Sequence, residues 1–301
     1  GLPDVTCPNL PVVREAVPWA SRGIASPDVS KAPEYDVVGV GNALVDVIAH
    51  ADDGFIEEHD LAKGSMTLID TDRALYLYRA LGTAVEMSGG SAANTMTGVA
   101  SLGGRAAYLG KVSDDELGQV FGHDLRAVGV QFRPGRPEAD TPTGRCIIVV
   151  TPDAQRTMNT YLGVSSLLQP SDIDEATVAA GRVLYMEGYL YDRPAAKEAF
   201  RVAAAVAHEH GRQVSLTLSD SFCVDRHRDD FRALVTDEVD ILFGNEDELL
   251  SLYEVESFDE AVRRVRHDCH LAVITMGKEG CVVVTKDEVV RAPAEPVGQV
   301  L

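Results

Sequence analysis

The stretch Val239-Asp-Ile-Leu-Phe-Gly-Asn-Glu-Asp-Glu248 passes from a short apolar run into an acidic one at a single glycine. The apolar half suits a buried strand. Asn-Glu-Asp-Glu suits a helix N-terminus, where carboxylates offset the positive end of the helix dipole. Working outward, residues 214–218 read as another strand, 229–236 and 246–253 as helices, and 258–267 then 271–276 as helix and strand. Upstream, residues 194–210 form the clearest helix, with Pro194 in the first turn and Gly211 at the stop. Strands alternating with helices require crossover connections, so the sheet is mainly parallel and covered on both faces. The fold class is α/β.

Toward the N-terminus, Tyr35-Asp-Val-Val-Gly-Val-Gly41 is a short strand ending in glycines, and residues 91–103 put Ala92, Met96, Val99 and Ala100 on one helical face. Residues 42–70 and 141–161 are strand-like without a convincing crossover helix, and the second turns at Pro152-Asp153. Such strands predict a small accessory sheet, placed as a lid beside the α/β site. Residues 1–34 hold six of the 14 prolines and the only tryptophan, Trp19, and read as an irregular tail. One domain is expected over 35–301.

Composition narrows the partners. A net charge of −20 argues against general binding to nucleic acid or to an anionic membrane surface, both of which need clustered cations. It leaves room for a phosphorylated ligand held by backbone N–H groups. The five cysteines are scattered with no C-x-x-C pair, so neither a disulfide framework nor a zinc site is indicated. Scattered thiols, no apolar run of bilayer length and no secretion signal point to a cytoplasmic protein.

Two glycine patterns invite nucleotide readings and fail. Gly39-Val-Gly41-Asn-Ala-Leu44 lacks the third glycine of a dinucleotide fingerprint, and Gly104–Val112 is too long for a phosphate loop and ends without a hydroxyl. More distinctive are Asn42 and Asp46 after the first strand, a donor–acceptor pair suited to adjacent sugar hydroxyls, or else a turn cap and a solvated acid. Ser88-Gly89-Gly90-Ser91-Ala-Ala-Asn94 opens a helix where paired glycines admit a ligand to free N–H groups, or else simply turn the chain. Asn245 and Glu248 either cap their helix or reach hydrated Mg2+ and phosphate. Thr275-Met-Gly277-Lys-Glu-Gly280 either cradles phosphate oxygens or makes a tight hairpin.

The order of these motifs on a strand–helix frame resembles the ribokinase-like (PfkB) carbohydrate and nucleoside kinases. Within them Gly-Gly-Ser-Ala-Ala-Asn94, Asp153-Ala-Gln-Arg-Thr-Met-Asn-Thr160 and residues 218–227 look most like the bacterial adenosine (nucleoside) kinases. The resemblance implies a three-layer α/β/α domain with a small β-sheet lid and ATP as donor with Mg2+. It also implies a small nucleoside or sugar as acceptor, a role in purine salvage, and a monomer or homodimer. Asn42, Asp46, Gly89, Gly90, Ser91 and Asn94 would bind the acceptor, and Arg156 would meet the transferred phosphoryl group or remain a solvated turn arginine. Asn245, Glu248, Thr275, Gly277 and Gly280 would hold the nucleotide, with Glu248 reaching the metal through water.

An adenosine-like acceptor is expected first and a ribose- or fructose-type sugar second. A purine needs an aromatic slot, for which Tyr161, Tyr189 and Tyr191 are candidates. The family's Asp-Thr-x-Gly-Ala-Gly-Asp motif, which carries the catalytic aspartate, would follow the last strand, beyond Leu301. The expectation is therefore a domain truncated at its C-terminus that binds acceptor with negligible turnover.

Overall fold

In the computed structural model, which describes residues 32–136 and 140–295, the chain builds two sheets. Most of the 1–34 segment lies outside the described residues. The chain opens with β1 (Tyr35–Val40), β2 (Leu44–His50), α1 (Asp53–Glu58), β3 (Met66–Leu68), α2 (Thr71–Ala80), β4 (Ala84–Gly89) and α3 (Ser91–Ser101). It continues with β5 (Ala106–Gly110), α4 (Glu116–Ala127), β6 (Gln131–Pro134), β7 (Gly144–Val150), β8 (Arg156–Tyr161), α5 (Glu175–Ala180), β9 (Gly181–Glu187) and α6 (Pro194–Glu209). The last part comprises β10 (Gln213–Thr217), α7 (Ser221–Asp237), β11 (Ile241–Asn245), α8 (Glu246–Tyr253), α9 (Phe258–Asp268), β12 (Leu271–Thr275), β13 (Cys281–Thr285) and β14 (Val289–Ala292).

The larger sheet has the order β14-β13-β12-β11-β10-β9-β1-β5-β6. It is parallel from β12 through β6, and β13 and β14 add an antiparallel edge. β5 shows why both faces are covered. Ala107 and Leu109 enter the core shared with α5 to α9, whereas Ala106 and Tyr108 enter a second core with α3 and α4. Alternating side chains, all apolar, commit a strand to burial on both sides. On the α3 side the cover thins past β10, where Phe243, Val273 and Val283 stay half-buried.

The smaller sheet has the order β3-β8-β7-β2-β4. Besides strands from residues 44–68 and 144–161 it includes β4, whose chain runs straight on through Gly89-Gly90 into α3. The two sheets are thus joined at the residues that the sequence singled out.

The helix expected over 229–236 begins eight residues earlier, at Ser221. Asp220 caps it, accepting the Cys223 N–H at 2.6 Å, and the helix kinks at His227 (φ −128°, ψ 24°). The cap supplies a partner for an otherwise orphaned amide, and the kink breaks the apolar period that defines a helix in sequence. Among the described residues no helix is long and apolar enough to cross a membrane.

Candidate active site

Parallel strands present their carboxyl ends along one edge, so Asn42 after β1, Glu187 at the end of β9, Asn245 at the end of β11 and Thr275 at the end of β12 share it. Glu187 organises the centre of that edge. It is 1% exposed, and its Oε2 accepts the Asn42 N–H at 2.6 Å and the Asn42 Nδ2 at 3.0 Å. Its Oε1 accepts the Ala92 N–H at 3.2 Å and the Ser91 hydroxyl. Burial holds the Glu187 carboxyl above its ordinary value, and these hydrogen bonds offset only part of that rise.

α3 is preceded by Gly90, which has φ +88° and provides no side-chain cap. The carboxylate of Glu187, distant in sequence, takes the place of a cap at this positive helix end. Ser91 therefore gives its hydroxyl to Glu187 rather than to an open pocket. Asn42 Oδ1 in turn accepts the Ser165 hydroxyl at 3.0 Å, which fixes the amide orientation.

Asp46 is the contrasting acid. It is half-buried on β2 and makes no hydrogen bond or ion pair among the described residues, and burial pushes it up to about 6. Its carboxylate lies over Gly89, where a Cβ would fall 2.2 Å from Asp46 Cγ. Strand register shows the setting. Met87, Asp46, Cys146, Thr160 and Leu68 form one cross-strand row on one face of the smaller sheet. The adjacent row on that face is Val85, Ile48, Ile148, Met158 and Met66. One carboxylate therefore sits in a largely apolar field.

Leu68 and Thr160, at one end of the first row, line a cleft of about 490 Å³ together with Asn42, Tyr161 and Tyr189. Tyr189 is held at both ends by Ser219, its N–H donating to Ser219 Oγ at 3.2 Å and its hydroxyl to the Ser219 carbonyl at 3.2 Å. Ser219 itself has φ +76°, an uncommon backbone for a non-glycine residue. Tyr191 is elsewhere, buried against Phe200 and Phe231 in the core.

The remaining residues are more dispersed. Asn94 is exposed on α3, and Arg156 is exposed at the start of β8 in the smaller sheet. Asn245 and Glu248 form a reciprocal capping box. Asn245 Oδ1 accepts the Glu248 N–H at 2.9 Å, while Glu248 accepts from Asn245 Nδ2 at 2.7 Å and from the Asn245 N–H at 3.1 Å. Thr275 is exposed beside Asn245 in register. Gly277 (φ +55°) opens toward free space, but Gly280 (φ +102°) is pressed against β14, where a Cβ would lie 2.0 Å from the Ala292 carbonyl oxygen. Gly280 is thus spent on closing the β12–β13 hairpin.

No group of three or more His, Cys, Asp or Glu among the described residues makes a metal cage. The buried Glu248, with both oxygens already accepting from Asn245, fits an outer role through water better than direct ligation.

Sequence reasoning did not find Glu187, Ser165 or the paired ions Lys111 and Asp172. Lys111 follows β5 and meets Asp172 at 3.0 Å, both side chains 0% exposed, with Asp172 also accepting the Gln169 and Arg136 N–H groups. A usable signal for Glu187 was present: Gly-Arg-Val-Leu-Tyr-Met-Glu187 is a strand that ends in a carboxylate just before a glycine.

A mainly parallel α/β sheet, joined to a smaller sheet through a Gly-Gly helix start, defines a ribokinase-like enzyme fold. The chain belongs to the pfkB family of carbohydrate kinases, whose pattern matches residues 64–301. It is similar to the adenosine kinase of Sinorhizobium meliloti, with 53% identity and a TM-score of 0.81, covering 89% of this chain and 82% of that one. A probable sugar kinase protein from Rhizobium etli CFN 42 is 47% identical with a TM-score of 0.82 and the same coverages. The guanosine-inosine kinase of Escherichia coli K12 is 30% identical over 229 residues, 72% of this chain and 52% of that protein. The chain spans about half the length of that curated relative.

Proposed function

We propose that the protein phosphorylates a nucleoside, transferring the γ-phosphoryl of ATP to a primary hydroxyl, with an adenosine-like acceptor favoured. The observation that carries this reading is Asp46, whose carboxylate has no partner among the described residues and lies beside Gly89 in a largely apolar sheet face. A carboxylate acceptor and the Asn42 amide suit the vicinal hydroxyls of a ribose. The apolar rows beside Asp46, with Tyr161 and Tyr189 in the adjoining cleft, suit an unsaturated base. A free hexose would leave this apolar field against water. The similarity to an adenosine kinase at 53% identity supports the same choice.

In this reading Asn42, positioned by Glu187 and Ser165, and Asp46 bind and orient the acceptor sugar, with Gly89 and Gly90 giving it access. Arg156, on the smaller sheet, meets the phosphoryl group as that sheet closes, and closure excludes water. Asn245, Thr275 and Gly277 hold the nucleotide at the sheet edge, and Glu248 holds Mg2+ through water. When bound, the ion supplies charge neutralisation at the phosphates, as phosphoryl transfer requires.

The test is calorimetric titration with adenosine, guanosine, inosine, ribose and fructose, paired with an ATP-coupled turnover assay. Micromolar binding of a purine nucleoside with no detectable sugar binding is expected. Sugar binding at least as tight would move the assignment to a sugar kinase, the runner-up favoured by the Rhizobium etli similarity.

A further inference from the structure

The opposite edge of the larger sheet carries a second cleft, of about 660 Å³, whose lining has a different character. Arg263, Arg266 and His267 come from the last turns of α9, His270 from the residue before β12, and Lys286 from the turn after β13. The chain has 27 Lys and Arg against 47 Asp and Glu, so a cleft with three Lys or Arg side chains to one acid, and two histidines besides, runs against its overall balance. That acid, Asp268, is taken up as the acceptor for the Tyr253 hydroxyl at 3.0 Å.

Arg266 is held in place. Its Nε donates to the Thr285 carbonyl at 3.1 Å and its Nη2 to the Lys286 carbonyl at 2.6 Å, tying the β13–β14 turn to α9. The side chains of Arg263, His267, His270 and Lys286 make no hydrogen bond or ion pair among the described residues and are exposed, although His270 also feels the charge of Asp240. Arg266 also offsets the negative end of α9. That role does not account for His270 and Lys286, which approach from other segments.

We infer that this cleft binds a small polyanion bearing at least two phosphate groups. A guanidinium, an ammonium and imidazoles spread over three chain segments match separated anionic groups better than one. The cleft lies at the amino ends of the parallel strands, away from the residues assigned to the acceptor and the nucleotide. This inference therefore stands whether or not the kinase reading does.

The experiment titrates inorganic pyrophosphate into the protein while the imidazole resonances of His267 and His270 are followed by NMR, assigned through His267→Gln and His270→Gln. Saturable shifts of both resonances are expected, with affinity at least tenfold weaker in the Arg263→Glu/Lys286→Glu double variant. Both positions are exposed, and an unchanged melting temperature confirms that the variant folds. Absence of shifts at these histidines, or equal affinity in the double variant, would overturn the site and leave the cations as helix-end stabilisers.

Discussion

Glu187 Oε2 accepts two hydrogen bonds from one residue, the backbone N–H of Asn42 at 2.6 Å and its side-chain Nδ2 at 3.0 Å. Through this contact the end of β9 sets the rotamer of the residue that follows β1. The other oxygen secures the start of α3 through Ser91 and Ala92. Replacing it by Glu187→Gln puts an amide donor against these donors, a buried mismatch that costs about 1–3 kcal/mol. Urea unfolding is expected to show that loss, and calorimetry a weaker nucleoside affinity. Full stability in the variant would remove Glu187 from its organising role.

Asp46 gives a pH dependence with a definite sign. Burial raises its folded value to about 6, above the ordinary carboxylate value of about 4. The folded state then binds more protons than the unfolded one between those values. Its contribution to stability is thus full below about pH 4 and is lost as pH rises through about 6. Asp46→Asn should gain stability relative to the parent between pH 5 and pH 7.5, as thermal melts at both values will show. Ligand binding runs the other way, because the acceptor form is the ionised one. Adenosine affinity of the parent should rise about tenfold over the same interval, and that of Asp46→Asn should stay flat.

Gly89→Ala is expected to displace the Asp46 carboxylate, since the new Cβ would fall 2.2 Å from its Cγ. Because the two changes strike the same contact, their effects on nucleoside affinity should not add. In a double-mutant cycle with Asp46→Ala we expect a coupling of about 1 kcal/mol or more. Additive losses measured by calorimetry would mean that Gly89 and Asp46 act separately.

Lys111→Met tests the buried ion pair at the carboxyl edge of the larger sheet. Removing the ammonium leaves the fully buried Asp172 without its charge partner. The expected cost is about 3–5 kcal/mol in chemical denaturation. A loss below about 1 kcal/mol, near the typical value for an exposed pair, would contradict the burial seen here.

By itself the sequence determined the α/β class, the run of helices and strands after residue 194, and the family. These depend on local periodicity and on motif order along the chain, which one dimension preserves. That Asn42 and Asp46 come after the first strand and that Gly89-Gly90 leads into a helix was legible for the same reason. What only the tertiary structure decided is how those residues are used. Glu187 lies 145 residues from Asn42 and caps a helix that has no side-chain cap of its own. Ser91 is satisfied by that same carboxylate and Gly280 is spent on a hairpin, whereas of the two acids singled out in the sequence, Asp46 and Glu248, Asp46 is the one whose carboxylate has no partner among the described residues. Whether a polar group is free or already paired depends on which distant segments pack against it. Strand order and register, rather than the local run of residues, made that choice.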